Sequence, residues 1–280
     1  MWCAEAVAQH EDIYSSLPFE AVAPELPVIP ETTVRLTDFG GVADGATLNT
    51  EAFERALVSL SESGGGHLLV TEGIWLTGPI KLRSNIDLHL EHNSIILFSN
   101  DKSLYPILPA DRGTSGALCT PPISASGQSN FSITGSGIID GNREAWRPVK
   151  RFKVSDAEWR EMSYLKLTET KEGKSTVWYP LLGNKDGNIA KKRPRLLRFI
   201  ECEKFLVQDV VIQNSPSFHV NIILSKNFTL DGVTVRCPWN AQNGDGIDLS
   251  SCRRCLVNRC SVDAGDDAIC LKSGIGDTGR

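Results

Sequence analysis

A repeat of apolar residues in the second half of the chain is the feature that most restricts its fold. Each copy places apolar or small residues at positions i, i+3 and i+5, with a Phe or Cys two residues before the first. Copies begin at Val207, Leu230 and Val257, which are 23 and 27 residues apart. An earlier copy begins at Ile133. Such a period is typical of solenoids, in which each unit buries its apolar row by stacking on the next. The repeat therefore predicts a parallel β-helix.

Acidic residues fall at matching points of the last two repeats. Each repeat is followed by a turn and a second short apolar run, and aligning these runs places Asp245 in register with Asp267. Asp266 lies one residue earlier, and His219 occupies a similar junction one repeat before Asp245. Neighbouring strands of a sheet lie roughly 4.8 Å apart, so these four ionisable groups are expected to converge. An acid beside Gly usually serves the turn itself, but two aligned turns with three acids indicate an enzyme.

Composition sets wider limits on fold and partners. With 280 residues, 41% apolar content, 24 Gly and 7% aromatics, the chain suits one elongated, turn-rich all-β domain better than a helical bundle. The net charge of −5 gives no broad basic surface, so we expect no nucleic-acid partner. No apolar run approaches the roughly 18 to 20 residues of a membrane span, so no span is expected.

Eight cysteines are spread over the chain in a pattern unlike that of a small disulfide-stapled domain. The cluster of Cys252, Cys255, Cys260 and Cys270 could pass for a zinc site. However, Cys260 takes a repeat position that Val fills in other copies, and free Cys behaves as a small buried hydrophobe. We therefore expect no metal site and no cofactor.

Several stretches lie outside the repeat. Residues 50–60 have a helical apolar face, and Thr50 can cap this helix, which is expected to close the N-terminal end of the solenoid. Residues 1–34 are interpreted as a leader or extension, and residues 35–280 as the β-helix domain. Within it, residues 142–194 form an insertion rich in charge and Trp. Its aromatic side chains either stack on sugar rings or form a small satellite core.

Short motifs in a fixed order connect the chain to a known family. They are Asp38-Phe-Gly with Asp44-Gly, Leu76-Thr-Gly-Pro-Ile-Lys81, Gly135-Ser-Gly-Ile-Ile-Asp-Gly141, Arg193-Pro-Arg195, Asn214-Ser-Pro-Ser-Phe-His219, Asn243-Gly-Asp245-Gly-Ile-Asp248, and Gly265-Asp-Asp267 with Lys272-Ser-Gly274. With these motifs, the chain resembles glycoside hydrolase family 28, the polygalacturonases, from about residue 35 to 274. Each motif alone is weak, but the ordered set is specific.

The resemblance implies a right-handed parallel β-helix that hydrolyses α-1,4 bonds between the galacturonic acid units of pectin, with inversion at the anomeric carbon. It implies that Asp266 is the general acid and that Asp245 and Asp267 hold and activate the attacking water. Crowded carboxylates do not all ionise easily, so one of them is expected to hold a proton in mildly acidic medium.

The resemblance also suggests binding residues. Motif matches favour substrate binding for His219, Asn243 and Lys272. Two alternatives stay open, namely that His219 holds a loop and that Lys272 pairs with one of the acids. Asp248, in the strand after the first acid, is expected to face inward or to give support, outside the catalytic set.

Two departures from the family pattern lead to further expectations. Asn243-Gly244-Asp245 replaces the family's usual Asn-Thr-Asp, which is expected to loosen the turn. The family's downstream Gly-His-Gly and Arg-Ile-Lys segments have no counterpart before Arg280. We therefore expect a fragment, incomplete at its C-terminus, with an uncapped last coil and poor activity alone.

Two alternatives to hydrolysis remain open. A pectate lyase shares the solenoid but uses calcium and a basic residue for β-elimination, whereas a noncatalytic β-helix would only bind the polysaccharide. Endo and exo cleavage are not separated, although the 142–194 insertion favours an exo mode by closing one end of a groove. Intact pectin cannot enter a cell, so a periplasmic or extracellular protein is expected. We expect a monomer whose partner is this acidic polysaccharide.

Overall fold

Parallel strands wind along the chain into stacked coils. The computed structural model describes residues 13–14, 17–112, 116–164, 168–172, 175–179 and 192–275. In this part of the chain each complete coil adds one strand to each of three parallel sheets. The right-handed parallel β-helix and the N-terminal helix predicted from the sequence are thereby confirmed.

The three sheets run side by side along the solenoid. Sheet 1 contains β1 (Thr33–Arg35), β2 (Gly66–Val70), β5 (Ile86–Leu90), β10 (Ser129–Gly135), β16 (Glu203–Gln208), β19 (Lys226–Asp231) and β22 (Arg253–Asn258). Sheet 2 contains β3 (Gly73–Thr77), β6 (Ser94–Phe98), β11 (Ile138–Asp140), β17 (Val211–Gln213), β20 (Thr234–Arg236) and β23 (Ser261–Asp263). Sheet 3 contains β4 (Ile80–Lys81), β9 (Ile123–Ser126), β15 (Leu197–Ile200), β18 (Val220–Ile223), β21 (Ile247–Ser250) and β24 (Ile269–Lys272).

The connections between the sheets differ strongly in length. From sheet 1 to sheet 2, and from sheet 3 to sheet 1, each corner takes two to four residues. From sheet 2 to sheet 3 the chain uses 24 residues after β6, 56 after β11 and 10 after β20. We call this third corner the long-loop edge, which comprises residues 99–122, 141–196, 214–219, 237–246 and 264–268. Loops held by a rigid scaffold carry binding and catalytic residues more often than the elements they connect.

Single residues in the left-handed conformation turn the chain at the short corners. Between sheets 1 and 2, Asp209, Gly232 and Arg259 have φ values of 57°, 65° and 51°. They follow strands that pair in register, so the same bend recurs from coil to coil. At Gly232 an added Cβ would lie 2.1 Å from Asp209 Oδ1. A side chain at Gly232 would therefore displace the Asp209 carboxylate, whereas Asp209 and Arg259 carry side chains at the equivalent points of the neighbouring coils.

A column of aromatic rings runs through the core. Phe131, Phe205 and Phe228 are in register on neighbouring strands of sheet 1 and are fully buried. Their rings stack at centroid distances of 5.0 and 4.7 Å, with interplanar angles of 11° and 6°. Phe199 of sheet 3 packs edge-on against the first two rings. These Phe residues precede the repeat copies in the sequence, so the predicted alignment of the copies is confirmed.

A helix lies against the first coils of the solenoid. Helix α1 (Thr50–Glu62) buries Ala52, Phe53, Ala56, Leu57 and Leu60. The expectation that Thr50 caps this helix is wrong, because the N-cap position is Asn49. The Asn49 side chain is engaged with both backbone groups of Val42. Thr50 Oγ1 instead accepts a hydrogen bond from Gly78 N at 2.6 Å, which ties the helix to the turn between β3 and β4.

Two local structures accompany the long-loop edge. They are a hairpin of β7 (Ile107–Leu108) with β8 (Leu118–Cys119), and an antiparallel sheet of β12 (Val149–Lys150), β14 (Ser175–Tyr179) and β13 (Thr168–Glu172) with helix α2 (Asp156–Tyr164). Trp146 is buried with Cys119 and packs edge-on against Tyr105 at 5.3 Å. For Trp146 the satellite-core alternative is therefore confirmed. No helix in the described ranges is long and apolar enough to cross a membrane.

The cysteines of the candidate zinc cluster lie along the solenoid wall. Cys252 and Cys260 are partly buried against the core, and each Sγ lies 3.5 Å from the backbone oxygen of Ile222 or Leu230. Within the described residues, no three side chains of His, Cys, Asp or Glu are grouped as metal ligands.

We expect Phe205→Ala to lower the free energy of unfolding by about 3 to 5 kcal/mol, because it opens a cavity between two stacked rings. Urea unfolding followed by circular dichroism measures this change. The matched control is Phe19→Ala, whose ring is 64% exposed, with an expected change below about 0.5 kcal/mol. Equal losses in the two variants would contradict the aromatic column.

Candidate active site

Three loops of the long-loop edge lie side by side on successive coils and lead into β18, β21 and β24, namely 214–219, 237–246 and 264–268. Backbone hydrogen bonds join them. His219 N donates to Asp245 O at 2.9 Å, and Gly246 N donates to Asp267 O at 2.9 Å. Strands β21 and β24 pair in the register predicted from the sequence. Asp245 and Asp267 therefore stand at equivalent points of adjacent coils.

Glycine allows these loops to approach one another closely. An added Cβ at Gly246 would lie 2.5 Å from Ala268 O, and one at Gly265 would lie 2.6 Å from Pro238 O. In addition, Gly265 N donates to Gly244 O at 3.2 Å. Contacts between backbones therefore set the positions of the three acids, independently of flexible side chains.

Asp245 is the buried acid of the three. Its side chain belongs to a residue that is 5% exposed, and Oδ1 is a buried atom without a hydrogen-bond partner among the described residues. Burial, together with the negative charges of Asp248 and Asp266, raises the pKa of Asp245 to about 6. This carboxyl group therefore exchanges its proton in mildly acidic solution.

Asp266 and Asp267 lie at the surface. Both are exposed, as is Asn243 on the neighbouring loop. Asn243 has a φ of 50°, in the left-handed region, and its Oδ1 accepts a hydrogen bond from Gln242 Nε2 at 3.0 Å. These three side chains are accessible to a ligand that approaches the edge from solvent.

An ion pair joins the two coils that carry the acids. Asp248 alternates along β21 with the core residues Ile247 and Leu249, so it points to the outer face of sheet 3, yet it is fully buried. Lys272 of β24 donates a hydrogen bond to Asp248 Oδ1. Burial raises the pKa of Asp248, and the Lys272 ammonium opposes that rise. Asp248 thus does not face inward, and Lys272 pairs with an acid, which was one of its two expected roles.

Two cations share the ring of Phe218. The guanidinium carbon of Arg195 lies 4.8 Å from the ring centroid, and Lys272 Nζ lies 5.0 Å from it, within the range of cation–π attraction. Burial lowers the pKa of Arg195 to about 10, so it remains charged at neutral pH. Arg195 Nη1, Asp245 Oδ1 and Asp248 Oδ2 are buried atoms that lack hydrogen-bond partners within the described ranges. Such unpaired groups suit a site that holds water or hydroxyl groups.

His219 is fully buried. Burial lowers the pKa of its imidazole to about 4, so the ring is neutral at the pH where Asp245 titrates. Nδ1 lies 2.9 Å from Asp245 O and donates to it, while Nε2 accepts from Ser215 N at 3.3 Å. Both ring nitrogens are thus engaged with backbone groups. Of the two roles considered for His219, these contacts are those of a residue that holds the Asp245 loop.

The insertion contributes a buried Arg to the same loop. Arg147, which is 6% exposed, donates from Nε to Ser215 O at 2.7 Å and from Nη1 to Cys237 Sγ at 3.2 Å. An added Cβ at Gly244 would lie 2.6 Å from Cys237 Sγ and 3.1 Å from Arg147 Nη1. The expectation that Gly244 loosens the turn is therefore wrong. Cys237 and Arg147 fill the space that a larger residue would need.

Sequence reasoning missed three parts of this cluster, namely Arg147, Arg195 and Phe218. Arg195 and Phe218 lie within motifs that carry the family resemblance, so the motifs indicated importance without a role. Arg147 lies in the non-repeating insertion, and no periodic signal marks it.

Comparison with known proteins agrees with this geometry. The model of the family described as glycosyl hydrolases family 28 matches residues 160–278. A probable polygalacturonase of Vitis vinifera is 31% identical over 249 residues, which cover 85% of this chain and 44% of that protein. The hyperthermoactive exopolygalacturonase of Thermotoga maritima superposes with a TM-score of 0.69 at 33% identity, over 90% of this chain and 57% of that one. This chain belongs to glycosyl hydrolases family 28.

Similar family 28 proteins differ in their mode of cleavage. An endo-polygalacturonase of Pectobacterium carotovorum subsp. carotovorum is 25% identical over 82% of this chain and 52% of its own length, whereas the Thermotoga maritima protein is an exopolygalacturonase. The chain spans about half the length of the curated relatives it matches. Family membership alone therefore does not separate endo from exo action.

We expect Asp245→Asn to stabilise the family 28 fold at pH 7.5 and to lose this advantage near pH 4.5. The pKa of Asp245 in the folded protein is about 6, above its ordinary value of 3.8. Stability is therefore lost as the pH rises from about 3.8 to 6, and the loss is complete above pH 6. We expect a gain of roughly 1 to 3 kcal/mol at pH 7.5.

Thermal unfolding at both pH values measures this effect. The control is Asp263→Asn, an exposed carboxyl group on β23, which is expected to change stability little at either pH. A gain for Asp245→Asn that is equal at both pH values would contradict the raised pKa.

Proposed function

We propose that this family 28 chain carries the catalytic acids of a hydrolase that cleaves α-1,4 galacturonosyl bonds of pectin with inversion at the anomeric carbon. The observation that carries the proposal is the register of Asp245 and Asp267 on adjacent coils, with Asp266 one residue earlier. The relatives named polygalacturonase support the substrate class. No metal or cofactor is needed for this reaction.

The three acids divide the two proton transfers. A glycosidic oxygen leaves readily only when it is protonated, while a water must be deprotonated on the opposite face of the sugar. Asp266, which is exposed, donates the proton to the leaving oxygen. Asp245 and Asp267 hold and activate the water. The raised pKa of Asp245 supports a proton shared within the cluster in mildly acidic medium, so apparent pKa values belong to the group.

Binding and positioning fall to the neighbouring side chains. Asn243 is exposed and binds sugar hydroxyl groups. Lys272 neutralises Asp248, and its 43% exposed side chain presents positive charge to the uronate carboxylate. His219 acts as a positioning residue through the Asp245 backbone.

The proposed substrate also suggests where the protein acts. Intact pectin does not cross a membrane, so the protein is secreted and acts on cell-wall pectin in the periplasm or outside the cell. It acts there as a monomer.

We expect Asp266→Asn to lower reducing-end release from polygalacturonic acid by about 10²- to 10⁴-fold, the usual size of a general-acid effect. The assay uses the 280-residue chain. An aryl galacturonide with a good leaving group needs little protonation, so Asp266→Asn should retain most activity on it. Asp245→Asn, which affects the water, should lose activity on both substrates.

Controls separate hydrolysis from the alternatives. Glu62→Gln is expected to keep wild-type activity, since this exposed carboxyl group ends helix α1, against the first coils of the solenoid. An increase in ultraviolet absorbance with turnover would identify β-elimination and refute hydrolysis. Binding of the polymer without turnover would identify a noncatalytic binding protein.

We expect single galacturonate units as the first products, because the 56-residue segment between β11 and β15 is long enough to close one end of the groove. Chromatographic sizing of products at less than about one-tenth conversion measures this. Early appearance of mixed oligomers would refute the exo mode.

A further inference from the structure

Two exposed aromatic side chains stand at the long-loop edge beside the acids. Trp239 is 69% exposed and Phe152 is 68% exposed. Among the described Phe and Trp residues, Phe19 is the only other one with its ring so exposed. Large apolar side chains that project from a rigid surface commonly mark a binding site. Neither residue lies in a motif of the family resemblance.

The loop that carries Trp239 is held firmly. Ala241 N donates to Pro238 O at 2.9 Å, which closes a tight turn around Trp239. Ala241 is 2% exposed. An added Cβ at Gly265 would lie 2.6 Å from Pro238 O and 2.8 Å from Ala241 Cβ. The turn therefore packs directly on the residue before Asp266, so the loop that carries Trp239 is in contact with the loop of the candidate general acid.

A lysine brings the second aromatic side chain to the same place. Lys153 Nζ lies 3.4 Å from Ala241 O and 3.5 Å from Gly265 O. Phe152 precedes Lys153 in a 3-10 turn of the insertion. The insertion is therefore tied to both the Trp239 loop and the Asp266 loop, and its exposed ring belongs to the same edge.

Lysine side chains lie beside Phe152 and beside the loop that carries Trp239. Lys150 Nζ lies 5.8 Å from the centroid of the Phe152 ring. Within the described ranges, no carboxylate lies within 4 Å of Lys150 or Lys153. Each sugar of a galacturonan carries a carboxylate and an apolar C–H face. Flat rings complement that face and ammonium groups complement the carboxylates, whereas an apolar protein partner would leave the lysines unpaired.

We propose that Lys150, Phe152, Lys153 and Trp239 form an aromatic–basic surface that binds sugar units of a uronate polymer next to the bond that is cleaved. The proposal rests on the proposed function for the identity of the polymer. Trp239 stacks on one sugar ring beside the Asp266 loop. Phe152 and Lys150 contact a further unit along the polymer. These two residues therefore act on long substrates and not on the shortest ones.

Affinity electrophoresis and calorimetry with polygalacturonate test this surface. Trp239→Ala and Phe152→Ala are each expected to weaken polymer binding about 3- to 10-fold, in line with the strength of aromatic contacts. Trp239→Phe should restore most of the binding. Lys150→Met should weaken binding to polygalacturonate but not to fully methyl-esterified pectin. Phe19→Ala, the exposed ring outside this edge, is the control and should bind like wild type.

Kinetics separate this surface from the catalytic proposal. Trp239→Ala and Phe152→Ala should each raise KM for the polymer with kcat unchanged, and the increase for Phe152→Ala should be smaller with a galacturonate dimer than with the polymer. Suppose that wild type hydrolyses the polymer and that Trp239→Ala, Phe152→Ala and Lys150→Met all bind it as tightly as wild type does. The proposed surface is then overturned, while the proposed hydrolase activity stands. If wild type binds but does not hydrolyse, and Trp239→Ala weakens binding, the surface stands alone. A dimer in sedimentation that Trp239→Ala converts to monomer would show that a second copy covers the surface, which overturns the proposal.

Discussion

Direct backbone hydrogen bonds between loops 237–246 and 264–268 are the constraint on which the candidate site depends. The bond from Gly246 N to Asp267 O and the one from Gly265 N to Gly244 O leave no room for Cβ atoms between the coils. Because the register of sheet 3 continues into these loops, the acids keep their relative positions for the same reason that the strands stay paired. The scaffold therefore builds the site without relying on long, flexible side chains.

Burying charged side chains in this rigid site costs free energy, and the pairing of these charges lowers that cost. Asp248 is fully buried, and a buried carboxylate is tolerated only when it is paired. Lys272 supplies that pairing across the coils, while Phe218 stabilises both Lys272 and Arg195 through its ring face. The cost of burial that remains is that of the Asp245 carboxylate, whose pKa rises to about 6. A carboxyl group poised in this range serves proton transfer better than an ordinary surface acid.

The repeat in the sequence was sufficient for the parallel β-helix and for the register of Asp245 with Asp267, because both follow from a period that stacking must respect. The repeat could not predict the contacts made by non-periodic segments. Nothing in the sequence around Arg147 indicates that its guanidinium reaches Cys237, 90 residues away. The sequence left two roles open for His219 for a related reason. A motif identifies a position, but only the packing shows that both ring nitrogens are used by backbone groups.

The three corners of the solenoid have different freedom to change. The short corners keep two to four residues on every coil, since each joins strands that stay paired in register with those of the next coil. The long-loop edge extends outward and accommodates 56 residues after β11. Yet this insertion is not an independent attachment, because Arg147 fills the space next to Gly244 in the loop of Asp245. A larger residue at position 244 would therefore displace Arg147 or Cys237, which couples the insertion to the loop of Asp245.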